Sequence, residues 1–281
     1  MNVKQSDLRI FLPTIFHITH VKSGSQWVMQ ILKECAPERL IEPKVGVGHF
    51  KSGPLIPGSI YPTLYIPLHR FDLVLASRFF PLRMRLYKDG PGLRALYRNW
   101  INFRFKKEPI RKFVVIRDIR DALVSLYFSL KVSHPLISNN VGDGRKALNE
   151  LSFEDGFLYL IAQRGNAISD VQRTWIPVCK EGKALLIRYE ELIADELVTF
   201  SKILGYCQME VNPMHVRNVV ERNTFENMTG RHKGDEDITA HHRKGIVGDW
   251  RNYFTEKVKD EVKLRYGQLL MDTGYEKDLN W

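Results

Sequence analysis

Residues Thr14 to Leu32, TIFHITHVKSGSQWVMQIL, decide how the rest of the chain is read. The run opens with Thr14-Ile15-Phe16-His17-Ile18-Thr19, β-branched and aromatic, which predicts a strand. It breaks at Lys22-Ser23-Gly24-Ser25 and resumes as Trp27, Val28, Ile31 and Leu32, apolar at helical spacing. A strand therefore runs through a short Lys/Ser/Gly loop into a helix. The first helical turn carries unpaired N–H groups and the positive end of the dipole, so it takes anions readily. Gly24 lets backbone come close to a ligand. Lys22 adds charge, and Ser23, Ser25 and Gln26 add donors. The stretch predicts a phosphate cradle. It is not a Walker A loop, in which the Lys follows the second Gly, because here Lys22 precedes the loop's single Gly.

Outward from this loop, short apolar runs alternate with helical patterns. Phe113 to Ile116 and Ala184 to Tyr189 read as buried parallel strands, and Phe71 to Phe80 as a third that Pro81 stops. Helices are expected over Asp121 to Phe128, Phe153 to Trp175, Leu192 to Leu204, His215 to Glu221 and Val258 to Met271. Ala36 to Pro67, rich in Pro and Gly, reads as a long irregular excursion. Leu82 to Glu108 reads as a basic surface helix. Val132 to Gly144 reads as a loop, and Thr229 to Thr239 as polar and mobile. The alternation predicts an α/β fold: one domain over 1–281, a mainly parallel sheet flanked by helices and a P-loop-like nucleotide-binding core. Ligands of such sheets sit beyond the carboxyl ends of the strands.

Bulk composition narrows the partners. With 281 residues, 44% hydrophobic and 26% charged, the chain has enough material for one large core. No apolar run spans a bilayer, and the N-terminus lacks a signal-peptide pattern, so a cytoplasmic protein is expected. Three scattered cysteines suggest neither a disulfide framework nor a metal site. The net charge of +10 fits nucleic acid, an anionic surface or a polyanionic small ligand. No nucleic-acid-binding motif accompanies it.

Two further strings line up on strand ends. Arg117-Asp118-Ile119-Arg120-Asp121 closes one strand, and Ser125 lies two helical turns on. A guanidinium fork there suits a phosphate. Arg243-Lys244-Gly245-Ile246-Val247-Gly248-Asp249-Trp250 places two cations before a Gly-x-x-Gly loop that can wrap an anion. Together with the Lys22 loop these resemble, in order, the K-S-G-T-T-W, R-D-x-x-D-x-x-V-S-x-Y and R-K-G-x-x-G-D-W strings of sulfotransferases that use 3'-phosphoadenosine 5'-phosphosulfate (PAPS). The resemblance spans about Thr14 to Thr255 and is of the cytosolic type.

The resemblance implies sulfuryl transfer from PAPS, leaving 3'-phosphoadenosine 5'-phosphate (PAP), to a hydroxyl or amine, without metal. It implies that Lys22 to Trp27 hold the 5'-phosphosulfate and the purine, with Lys22 on the leaving oxygen and Ser125 restraining Lys22. Arg117, Ser125, Arg243, Lys244 and Gly245 fall to the 3'-phosphate side, Tyr189 to the 5' side, and Phe225 and Met228 to the adenine. The acceptor, whether small molecule, glycan or lipid, is expected in a pocket shaped by insertions at about 36–67 and 82–108. One departure is plain. The family's K-T-H-x-P string, whose His is the base, is expected where Ala76-Ser77-Arg78-Phe79-Phe80-Pro81 stands, and no His is there. His49 is taken as the base, with His20 and His134 as alternatives, and Arg78 as a stabiliser of the sulfonate. Two other readings stay open: a non-catalytic PAP- or polyanion-binding protein, and a P-loop nucleotide kinase.

Overall fold

Four parallel strands form the centre: β1 Thr14–Thr19, β2 Ile60–Tyr65, β3 Ile110–Ile116 and β4 Leu185–Arg188, in the spatial order β2-β1-β3-β4. The computed structural model describes residues 12–42, 50, 55–79, 109–135 and 139–281. Alternation along the strands divides the apolar side chains between two faces. Ile15, Phe113, Val115 and Ile187 pack on one side against α1 (Ser25–Cys35), α7 (Glu196–Tyr206) and α8 (Pro213–Arg222). Phe16, Ile18, Val114 and Ile116 pack on the other against α2 (Leu68–Phe79) and the distal half of α5 (Phe153–Lys180). A third cluster joins α3 (Ile119–Phe128), α5 and α10 (Glu256–Asp272). The helices α4 (Asn139–Glu150), α6 (Tyr189–Ala194) and α9 (Phe225–Thr229) complete the order. Both sheet faces are covered, as apolar side chains pointing to both sides of the strands require.

Several expected elements differ. Phe71 to Phe80 is not a strand; residues up to Phe79 belong to α2. Phe71 and Leu75, one helical turn apart, face the core, with the Phe71 ring 5.2 Å from Trp175. A short apolar run cannot separate helix from strand by pattern alone. The real strand beside β1 lies inside the supposed irregular excursion, as β2. Pro62 disguises it, and a proline is tolerated there because β2 is an edge strand. Between 132 and 144 the chain is not all loop. A π-turn, Ser129–Ser133, ends α3, and α4 begins at Asn139. Thr229 to Thr239 is stitched down rather than loose: Gly234 N donates to Lys244 O at 2.8 Å and Asp237 N to Arg243 O at 2.9 Å. Arg231 donates to the carbonyls of Asp235 and Arg243, both at 2.8 Å. The basic stretch 82–108, Phe80 and Pro81 lie outside the described residues, as does nearly all of 43–54.

Candidate active site

The turn after β1 is built to hold an anion. Lys22 and Gly24 both take the left-handed conformation, at φ 65° and 78°, which is costly for a lysine and common at functional turns. A β-carbon on Gly24 would meet the Tyr189 ring at 2.9 Å, so only glycine lets the turn seat against it. No side chain caps α1, which leaves its first N–H groups free for a ligand. Lys22 makes no ion pair among the described residues. Burial, with Arg117 and then Arg243 nearby, lowers its pKa to about 8. An unpaired, half-buried ammonium beside two guanidinium groups is the environment a phosphate would relieve. Ser23 plays another part than the sequence suggests. It is fully buried, and its hydroxyl donates to His20 O at 2.7 Å and meets Thr19 Oγ1, so the side chain locks the turn rather than reaching a ligand.

Arg117, the first residue past β3, ties three loops together. Its guanidinium donates to Lys22 O at 3.3 Å and to Ile246 O at 3.1 Å, and stacks at 4.3 Å over the Tyr189 ring. Its Nε is buried without a partner. Asp121, one turn into α3, receives Gly248 N at 2.6 Å and Trp250 N at 2.9 Å, and so docks the Gly-x-x-Gly loop onto the Arg117 segment. Arg243 pairs with Glu236 and Asp249, while Lys244 Nζ lies 2.9 Å from Asp249. Burial works against the Asp249 carboxylate, yet hydrogen bonds from Arg243, Lys244 and Asn252 hold it below its usual range.

One cavity of about 870 Å³ runs along these groups. Of the expected site residues it is lined by Lys22, Gly24, Ser25, Gln26, Trp27, Arg117, Ser125, Tyr189, Phe225, Met228, Arg243, Lys244 and Gly245; Ser23 is the described one left out. Gly245 sits flat on Phe225, where a β-carbon would come within 2.7 Å of the ring. Trp27 shows only an edge to the cavity and is otherwise core, edge-to-face on Phe200 at 5.2 Å.

The acceptor side differs most from expectation. His49, and the side chain of Arg78, lie outside the described residues. His20 is 1% exposed and both ring nitrogens are engaged: Nδ1 on Val21 O at 2.9 Å, Nε2 with Arg117 N at 3.1 Å and the Gln172 amide at 3.0 Å. Burial lowers its pKa to about 4, so it anchors the Arg117 backbone as a neutral ring. His134 does line the cavity, with Nδ1 on Pro135 O at 2.8 Å. His241 and His242, which the motif reading did not include, line it too. Adjacency to Arg243 was the available signal.

The residue missed outright is Tyr65. The strand that ends beside the Lys22 turn is β2, so the string to compare with K-T-H-x-P is Thr63-Leu64-Tyr65-Ile66-Pro67, not Ala76 to Pro81. In that comparison Tyr65 is the residue set against the family's His. A bulge aims it. Tyr61 and Leu64, three apart, share one sheet face because the β1–β2 register slips between Phe16 and Ile18, with Thr63 at φ 58°. Tyr65 is thereby turned to the other face, where its hydroxyl lies 2.7 Å from Ser25 Oγ and lines the cavity. Trp175 Nε1 pins the next carbonyl, Ile66 O, at 2.9 Å. Burial pushes the Tyr65 phenol up, so it stays protonated at neutral pH.

A sequence model of the sulfotransferase domain matches residues 92–274, more than half of the chain. The chain belongs to the sulfotransferase family. It is similar to the 3-alpha-hydroxysteroid sulfotransferase of Cavia porcellus, 25% identical over 261 residues, covering 85% of this chain and 77% of that protein. It is similar also to human Sulfotransferase 2A1, 25% identical over 266 residues, covering 91% and 83%. Among solved structures, mouse sulfotransferase SULT7A1 complexed with PAP shares the fold, with a TM-score of 0.60 at 16% identity over 97% of this chain and 90% of that one. The fold expected for this sulfotransferase, a parallel sheet with a nucleotide-binding turn after its first strand, is the one found.

Proposed function

We propose that this sulfotransferase moves the sulfuryl group from PAPS to a hydroxyl, or an amine, of a small-molecule acceptor. The observation that carries the reading is Arg117, whose guanidinium binds the Lys22 and Ile246 carbonyls and so joins the three anion-facing segments around one cavity. In this reading the Lys22–Trp27 turn receives the 5'-phosphosulfate, and Arg117, Ser125 and Arg243 receive the 3'-phosphate. Phe225, Met228 and the Trp27 edge take the adenine. PAP in the solved relative and the steroid names of curated relatives support a PAPS donor and a small alcohol acceptor. Among the described residues no helix is long and apolar enough to cross a membrane, and a cytosolic enzyme is proposed.

In the transfer, the acceptor oxygen bonds to sulfur as the bond from sulfur to the 5'-phosphate oxygen breaks, and the electron pair stays on that phosphate. Lys22 neutralises the charge that develops there, the positioning and electrostatic role expected of such sites. Tyr65, protonated and held by Ser25, donates to an equatorial sulfonate oxygen. His49 is proposed to take the acceptor proton, a task suited to imidazole. The second reading, a non-catalytic PAP-binding protein, draws on Tyr65 standing where the family has its His.

Sulfate transfer from labelled PAPS to a panel of phenols, steroids, amines and sugars, with and without EDTA, tests the proposal. Label on an acceptor, unaffected by chelator, is the expected result. PAP binding without transfer to any acceptor would favour the second reading, and activity that EDTA abolishes and Mg²⁺ restores would favour a kinase-type site.

A further inference from the structure

Arg120 is only 1% exposed and does not line the cavity. Its guanidinium lies between two indoles, 4.0 Å from the Trp250 ring and 4.3 Å from the Trp281 ring, which meet edge-to-face at 5.3 Å. Two carboxylates close the remaining sides: Asp118 at 2.6 Å and Glu276 at 2.6 Å. A cation held between aromatic faces and carboxylates has its position over-determined.

What Arg120 holds is the base of both segments assigned to the 3'-phosphate. Asp118 directly follows Arg117. Trp250 follows the Gly-x-x-Gly loop, whose Gly248 N–H is on Asp121. The far side of the clamp comes from the segment 275–281, which the functional reading leaves without a task. The same segment reaches a second point, where Tyr275 donates to Glu190 Oε2 at 2.7 Å while Glu190 Oε1 receives Asp118 N at 3.1 Å.

We propose that residues 275–281 are a positioning brace: by clamping Arg120 between Trp250 and Trp281, they fix the spacing between Arg117 and the Gly245–Gly248 loop at which a 3'-phosphate binds. Arg120, Glu276 and Trp281 act through Arg117 and the loop, and touch no nucleotide themselves. The 5' turn shares Arg117 with the clamp but has fastenings of its own, the Ser23 hydroxyl on His20 O and the Gly24 seat against Tyr189, so it should respond less. The proposal rests on the assignment of Arg117 and the loop to the 3'-phosphate.

The test compares PAP with AMP, which lacks that phosphate, by calorimetry on the full chain carrying Trp281→Ala, Trp281→Phe or Glu276→Gln. Residues coupled to a site without touching its ligand change affinity by roughly 3- to 30-fold, and Trp281→Ala should weaken PAP by about that much while AMP stays within about twofold. Trp281→Phe, which keeps a ring over the guanidinium, should recover most of the loss. At saturating PAPS the Trp281→Ala kcat should change less than its KM. Glu276→Gln removes charge at constant volume and serves if Trp281→Ala does not fold; its PAP affinity alone should fall. Equal losses for PAP and AMP, no recovery with Phe, or unchanged PAP affinity in Glu276→Gln and Trp281→Ala would overturn the brace. Equal affinity of the unmodified protein for PAP and AMP would instead overturn the underlying 3'-phosphate assignment.

Discussion

The two ends of the cavity treat charge in opposite ways. At the end proposed for the 3'-phosphate, cations are already matched: Arg243 pairs with Asp249 and Glu236, Lys244 with Asp249, and Arg117 lies 3.8 Å from Asp121. At the 5' end Lys22 has no carboxylate partner among the described residues, and its pKa is lowered to about 8. A paired cation is held in place and changes little when an anion arrives, which suits recognition. A bare, desolvated ammonium gains most when negative charge develops beside it, which suits stabilising a leaving group. The comparison separates a binding end from a reacting end on electrostatics alone.

Removing a cation at either end sharpens that division. Lys22→Met should lower kcat by about 10²–10³-fold, the usual cost of losing one donor aimed at developing charge. Arg117→Met should act mainly on affinity. Each charge-assisted bond to a phosphate is worth roughly 1.5–3 kcal/mol, so PAP binding should weaken by at least about tenfold, with a smaller change in kcat at saturating PAPS. Steady-state kinetics with varied PAPS separates the two. The division breaks if Lys22→Met chiefly raises KM, or if Arg117→Met chiefly lowers kcat.

The effects at His49 and Tyr65 are confined to the acceptor side. Tyr65→Phe removes one hydrogen bond to a charged group and should reduce kcat by about 10-fold or somewhat more, equally for all acceptors. His49→Ala should lower kcat by about 10²–10⁴-fold on neutral alcohols, the range for a lost general base, but much less on acceptors already ionised at the assay pH. PAP affinity should survive both changes. If Tyr65→Phe instead shows the acceptor dependence and His49→Ala none, the proton leaves through Tyr65.

The same contrast explains what could be read from sequence. Most of the expected residues that line the cavity were legible, because glycines, cations and strand ends come in short contiguous strings. Lys22 to Trp27, Arg117 and Arg243 to Gly245 are such strings. The inward turn of the Ser23 hydroxyl was not legible, because nothing in the string tells which way a serine points. The acceptor end was not legible, since its key strand carries Pro62, a signal against a strand, and turns at a left-handed Thr63 that no sequence pattern announces. The helix at Phe71 then offered a more convincing apolar run, and the K-T-H-x-P comparison was made in the wrong place. Tyr65 emerges only when the register of β2 on β1 is known. Asp121 was legible as a motif letter, but not as the acceptor of two loop N–H groups from 127 and 129 residues away.

Calorimetric titration of the unmodified protein with PAP and with AMP, at pH 7 and again at pH 9, tests the division most directly. With the free Lys22 pKa at about 8, the ammonium is charged at the lower pH and mostly neutral at the higher. Both nucleotides present a 5'-phosphate to it, so both should weaken by about tenfold from pH 7 to pH 9, with proton uptake on binding at the higher pH. The paired guanidinium groups at the other end do not titrate in this range, so PAP should exceed AMP by the same factor at both pH values. A PAP-to-AMP ratio near one, or a ratio that collapses at pH 9 while AMP binding stays constant, would contradict the assignment of the two ends.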